Sequence, residues 1–261
     1  MRTVPRPEQD EAQGSAWNAR ILEAIDQDTA VVALSIVHWT DGTLFDLESI
    51  GRRARDVGAV YIVDGTQSVG AYSFDFDAIR PDLLLCAGYK WLLGPYSLGV
   101  TVVGERFLDA EPFEHNWANR AQSENFSGLA DYKDAYQPGA RRYDVGERAN
   151  FALVPMLNTA LTQILEWGVD AIQEYCARLV ALVESRLADS PYRLTAAGDR
   201  GAHLFGIRVP DPDRLPHIED ELRRRNVFVS LRGTSIRVSP HLYNTESDMA
   251  VLAEALLAAV D

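Results

Sequence analysis

Cysteine is nearly missing from this chain: 261 residues hold two, Cys86 in an apolar run and Cys176 in a helical one. They form no CxxC and no metal-like cluster, so nothing indicates a disulfide framework, and reduced core thiols are expected. Positive charge is scarce as well, with 25 Lys and Arg against 38 Asp and Glu and a net charge of −13. Nucleic acid and anionic membranes need clustered Lys and Arg, so neither is an expected partner. The basic clusters, Arg52-Arg53-Ala54-Arg55 and Arg223-Arg224-Arg225, sit beside acids in helical patterns and read as solvated helix faces. No apolar run approaches a membrane span, and the N-terminus shows no signal-peptide h-region. A cytoplasmic protein is the expectation. Internal repeats and low-complexity segments are absent too.

What is present suits a globular enzyme, 47% hydrophobic and 24% charged. The length allows one large domain or two modest ones. Residues 1–13 are polar and read as a loop. Trp17, Ile21, Leu22 and Ile25 recur at helical spacing, which predicts a helix over 15–25 with Ser15 as a possible cap. Residues 30–37 are a continuous apolar strand ending in the turn-rich His38-Trp39-Thr40-Asp41-Gly42-Thr43. A helix over 47–57, capped at Asp46, leads to strands at 59–63, 83–87 and 98–103. This β-α-β order predicts an α/β domain, a mostly parallel sheet with helices on both faces. Residues 105–148 are irregular, and so long a loop is normally functional or interfacial. Helical patterns over 154–167 and 169–187 meet at Gly168. Beyond them, strands at 203–209, 227–229 and 235–239 alternate with helices at 218–225 and 246–260, the last capped by Thr245. That pattern is an α+β subdomain. The expected division is a large domain over 1–168 and a small C-terminal one over 169–261.

Two titratable residues stand at strand ends. The strand over 59–63 stops at Asp64-Gly65, and the strand over 83–87 stops at Gly88-Tyr89-Lys90. Ligands of an open parallel sheet sit at the carboxyl ends of its strands, so an acid and a lysine are delivered to one edge. His38 and Trp39 end a third strand and belong to the same edge, although an ordinary loop histidine and a packing tryptophan fit equally well. Taken alone, Asp64 and Lys90 could equally be a cap and a solvated side chain. One cofactor asks for the pair. Pyridoxal 5'-phosphate (PLP) is held by a lysine amine as a Schiff base, while an acid keeps its ring nitrogen protonated.

Val63-Asp64-Gly65-Thr66-Gln67-Ser68-Val69-Gly70, followed by Ala87-Gly88-Tyr89-Lys90-Trp91 and Gly94-Pro95, resembles the class V aminotransferase group of fold-type I PLP enzymes. That group includes kynureninases, cysteine desulfurases and isopenicillin N epimerase-like proteins. The resemblance implies a three-layer α/β/α large domain with one reversed strand, here 98–103, and an enzyme acting on an amino acid. It makes Lys90 the Schiff-base lysine and the base at the substrate Cα. Asp64 would hold the pyridinium proton, Gln67 would bond the ring's phenolic oxygen, and Tyr89 would lie against the phosphate. Trp117 and Asn150 match residues that reach across a homodimer interface toward the partner's cofactor phosphate. Arg237, in Ile236-Arg237-Val238-Ser239-Pro240, matches the arginine for the substrate α-carboxylate, where a planar fork suits a bidentate contact. His38 and Trp39 fall in a string resembling the kynureninase-like loop that lines the active site. That string and Gly88-Tyr89-Lys90-Trp91 tilt toward the kynureninase and epimerase branches.

Two departures bound the implication. The desulfurase subgroup needs a nucleophilic cysteine on the loop before the carboxylate arginine, and 226–236 holds none, so sulfur abstraction by that mechanism is not expected. Ala87 also stands where desulfurases carry a serine that donates to the phosphate. Second, relatives have further sequence before the equivalent of Met1. It includes a Gly/Thr turn at a helix N-terminus for the phosphate and an aromatic residue that stacks on the ring. The expectation is therefore an N-terminally truncated class V enzyme: a transaminase, an epimerase or a kynureninase-like lyase. Its rival is a truncated homologue that keeps the fold core without binding PLP. An open, apolar sheet edge, weak PLP binding and a tendency to aggregate are expected with the truncation.

Overall fold

Strands β1 (Val31–Ser35), β2 (Val60–Asp64), β3 (Leu83–Ala87) and β4 (Gly99–Val103) form one sheet in that order. The computed structural model describes residues 1–7 and 13–259. β1 to β3 run parallel and β4 antiparallel, so the reversed strand is the one the resemblance implied. Side chains alternate across the pleat. Val32, Tyr61, Val63 and Leu84 turn to one face, where they join Ile25, Ile50, Ala54 and Ile79 in a buried core. Helices α1 (Gln13–Ala24), α2 (Leu47–Val57) and α3 (Phe76–Ile79) lie on that face. Asp46 caps α2 by accepting the Ser49 N–H, and Gly58 ends it with a left-handed φ of 78°. On the opposite face Val31 is 52% exposed and Leu85 40%. β4 is solvent-facing along most of its length.

Helices α4 (Leu153–Trp167) and α5 (Val169–Leu187) break at Gly168, whose φ of 79° belongs to neither. A second, antiparallel sheet has the order β5-β6-β8-β7, from β5 (Arg193–Leu194), β6 (Phe205–Arg208), β7 (Ser230–Arg232) and β8 (Ser235–Val238). With α5, α6 (Leu215–Arg224) and α7 (Glu246–Ala258) it encloses Phe205, Ile207, Ile218, Leu222, Ile236 and Leu252. Full burial of one such side chain stabilises by about 1.5–3 kcal/mol, so this cluster contributes strongly to holding the helices on the second sheet. Thr245 caps α7 in a reciprocal box with Asp248. Ala71, Ile164, Ile172 and Cys176 form a smaller cluster apart from both cores. No helix among the described residues is long and apolar enough to cross a membrane.

Several local expectations are corrected. Ser15 lies inside α1 rather than at its cap. The strand expected over 30–37 stops at Ser35: Ile36 N–H still bonds the Asp64 carbonyl, but Val37 then pairs with Leu44 across the turn. Residues 227–229 are not a strand. Asn226 takes a left-handed φ of 57° and Val227 N–H donates to the Leu222 carbonyl at 2.9 Å, so the end of α6 takes an amide that a ladder would need. β6 starts at Phe205, not at His203, and β5 is too short for a periodic signal. Arg53 and Arg55 are not solvated: Arg53 donates to the Ile25 carbonyl at 2.8 Å and Arg55 to the Ile79 carbonyl at 3.0 Å. Arg223 and Arg225 do face solvent and pair with acids one turn away. Residues 8–12 of the expected N-terminal loop, and Val260 of the expected last helix, lie outside the described residues.

Candidate active site

A cleft of about 720 Å³ opens at the carboxyl ends of β1 and β2. Ser35, Asp64, Thr66, Gln67 and Lys90 line it from the first sheet, Arg232 and Arg237 from the second, and Trp39 from the turn after β1. Asp64, Gln67, Lys90, Trp39 and Arg237, all named from the sequence, thus share one cavity.

Lys90 is presented by a tight turn. Gly88 N–H bonds the Leu98 carbonyl at 2.9 Å, Gly94 N–H the Gly88 carbonyl at 2.8 Å, and Leu93 N–H the Lys90 carbonyl at 3.0 Å. Leu93 and Ser97 hold positive φ of 54° and 69°, conformations that persist only when surrounding bonds impose them. Gly70 presses on this turn from the segment after β2. Its φ is 97°, and a Cβ there would stand 2.5 Å from the Trp91 carbonyl, so only glycine fits.

The Asp64 carboxylate accepts the Thr66 N–H at 2.8 Å. Among the described residues neither Asp64 nor Lys90 has an ion-pair partner within 4.0 Å, so the two are not spent on each other. Cys86 senses both charges. Burial pushes its thiol up to about 11, Asp64 adds to the rise and Lys90 opposes it. Burial also raises Cys176 to about 11, so neither cysteine is a ready thiolate.

Gln67 is held at two points. Its side-chain carbonyl accepts the Trp91 indole N–H at 3.3 Å, which leaves the amide N–H₂ able to donate. Its backbone carbonyl lies 2.7 Å from His203 Nε2. His203 is fully buried, and burial lowers its pKa to about 4, so the ring is neutral and donates from Nε2. Gln173 Nε2, 2.9 Å away, then donates to Nδ1. The Thr66 hydroxyl accepts the Ala87 N–H at 3.1 Å and ties the ends of β2 and β3 together.

Arg237 donates from Nη1 to the Trp39 carbonyl at 3.1 Å and from Nη2 to Ser230 Oγ at 3.4 Å. Burial lowers its pKa, and the charge of Arg232 adds to the effect. The Arg232 guanidinium lies 5.7 Å from the centre of the Trp39 ring. The Nε atoms of both arginines are buried without a partner.

Other expected site residues stand elsewhere. His38 is not in this cleft; Thr40 Oγ1 and Asp41 lie 2.7 and 3.2 Å from its Nδ1, and Trp17 packs on its ring at 4.8 Å. It faces a separate groove of about 1000 Å³ between α1 and β1. Tyr89 points outward and stacks on Tyr96 at 4.3 Å, with the Lys90 ammonium 5.8 Å from its ring. Trp117 packs on Phe126 at 5.9 Å. Asn150 accepts the Leu153 N–H at 2.9 Å at the start of α4. Sequence reasoning passed over Ser35, Thr66, Arg232 and His203. Arg232 had a usable signal: cross-strand pairing of Ser235 with Arg232 about Gly233-Thr234 puts it on the face of Arg237. His203 had none, because its burial comes from a turn and two distant glutamines. Among the described residues no group of His, Cys, Asp and Glu could hold a metal ion.

The family model described as aminotransferase class-V matches residues 7–252. An uncharacterized aminotransferase of Bacillus subtilis, YcbU, is 27% identical over 226 residues, 86% of this chain and 58% of its own length. A probable cysteine desulfurase of Methanothermobacter thermautotrophicus is 27% identical over 261 residues, 91% of this chain and 62% of its own. A solved structure of a C-DES mutant with glycine covalently linked to the PLP cofactor superposes with a TM-score of 0.78 at 21% identity, covering 92% of this chain and 63% of that one. The chain therefore spans 58% to 63% of these relatives' lengths.

Proposed function

We propose that this chain, which belongs to the aminotransferase class-V family, acts on an amino acid as a PLP-dependent enzyme with Lys90 as its cofactor lysine. The observation that carries this reading is one cleft holding an amine and a carboxylate, Lys90 and Asp64, with no ion-pair partner among the described residues, beside Gln67 and Arg237. This donor set fits the ring and carbonyl carbon of PLP; for the phosphate the cleft offers the Thr66 hydroxyl, which accepts from Ala87 and keeps its O–H to donate. Bound there, PLP would supply an electron sink for a bond broken at the substrate Cα.

The chain's own groups divide the remaining work. The Lys90 amine would hold the cofactor and then carry the proton at Cα. The Asp64 carboxylate, steadied by the Thr66 N–H, would keep a proton on the ring nitrogen. Gln67, held by Trp91, would donate its amide to the ring oxygen. Arg237, anchored on the Trp39 carbonyl, would grip the α-carboxylate with its free edge and set which Cα bond faces Lys90. Trp117 and Asn150 do not line the cleft, and we assign them to a partner's site in a homodimer; Tyr89, stacked on Tyr96, would have to leave that ring to meet the phosphate. Reactions needing a protein thiolate fit least, since both cysteines are buried with raised pKa values. Transamination, epimerisation and kynureninase-like cleavage need none.

The test uses the chain's small lysine inventory, Lys90 and Lys133. Purified protein mixed with PLP should develop a visible absorption band, and borohydride should then fix the cofactor on the peptide carrying Lys90. Lys90→Ala should abolish the adduct. No band, or label on Lys133 alone, would overturn the reading.

A further inference from the structure

We infer that Arg232 is a second anion-binding group of this cleft, which makes its substrates amino acids with an acidic side chain. The inference rests on the proposed function, since it supposes that Arg237 takes the α-carboxylate. Ser230 pairs with Arg237 and Arg232 with Ser235, so both arginines leave the β7–β8 hairpin on one face. They are diagonal neighbours, about 7–8 Å apart at the backbone. The cleft wall carries three cations, Lys90, Arg232 and Arg237, against the single carboxylate of Asp64. Neither arginine has a carboxylate within 4.0 Å among the described residues, and each keeps a buried, unpartnered Nε. A buried donor without an acceptor is costly. One α-carboxylate answers one guanidinium; a second acid, one side chain away, answers the other. Trp39 holds the two apart for this purpose, its carbonyl on Arg237 and its ring beside Arg232.

Calorimetric titration of the cofactor-free chain tests the inference, with glutarate against butyrate and L-glutamate against L-glutamine. Each acidic ligand should bind about tenfold or more tightly than its neutral counterpart. Arg232→Met should remove that preference, and Arg232→Lys, which keeps the charge and loses the fork, should retain part of it. Equal binding within the wild-type pairs would overturn the inference, as would a preference that survives Arg232→Met. Inorganic phosphate binding that depends on Arg232, without any dicarboxylate preference, would assign the residue to a phosphate and also overturn it. None of these titrations uses PLP, so a missing visible band would defeat the proposed function while leaving this result readable.

Discussion

Arg237 and Trp39 stand 198 positions apart in the sequence and are joined by a 3.1 Å hydrogen bond from guanidinium to backbone carbonyl. The bond crosses from the second sheet to the turn that follows β1, and the same turn is sewn to the second sheet elsewhere. Gly206 N–H donates to the Asp41 carbonyl and Gly201 N–H to the Gly42 carbonyl, both at 3.0 Å. Asp41, buried beneath the turn, bonds the Thr43 amide and hydroxyl and pairs with Arg6 at 2.7 Å. Burial alone would raise its pKa, but His38 and Arg6 outweigh burial and lower it. The cleft is the space this seam leaves between the two sheets.

Gly42→Ala should open the seam. Gly42 has a φ of 74°, and a Cβ there would stand 1.8 Å from the Leu204 carbonyl. The loss in urea unfolding should be about 2 kcal/mol or more. Gly58→Ala is the control, with a similar φ of 78° and no atom within 4 Å, and should cost about 1 kcal/mol. Equal losses would show that backbone conformation alone is at stake.

His203 should make stability depend on acid. Its folded pKa is lowered from 6.5 to about 4 by burial, so the unfolded chain binds the proton first as pH falls. Its contribution is complete above pH 6.5 and is lost through the window down to about 4, by roughly 3 kcal/mol. Urea melts at several pH values, compared with His203→Gln, should show a flatter slope for the variant in that window. Parallel slopes would assign the acid sensitivity to other groups.

Asp64→Asn should leave the far-ultraviolet circular dichroism unchanged and lower the turnover number at saturating substrate by about 100-fold or more, because an amide cannot keep the ring nitrogen charged. An unchanged turnover would reduce Asp64 to its bond with the Thr66 N–H.

Arg237→Lys should weaken amino-acid binding by about 1.5–3 kcal/mol, the range of a charged hydrogen bond. The matching amines, which lack the carboxylate, should bind wild type and variant alike. If wild-type protein held amines as tightly as amino acids, Arg237 would have no part in carboxylate recognition.

Local pattern alone located the strands of the first sheet, apart from the end of β1, and put Asp64 and Lys90 at its carboxyl edge. Apolar alternation, glycines and caps act over a few residues and are read locally, as Asp46 and Thr245 show. The family motif added Gln67 and Arg237, and the cleft contains both. Tertiary structure decided what periodicity does not encode. It brought Arg232 beside Arg237 through hairpin register, and locked His203 under Gln67 through a carbonyl acceptor more than a hundred positions away. It turned His38 out of the cleft because Thr40 and Asp41 hold its ring first. It kept 227–229 out of the sheet because the end of α6 claimed the amide of Val227. For His203, His38 and Val227 a polar group had more than one possible partner, and the packed chain decided which of them came within hydrogen-bonding distance.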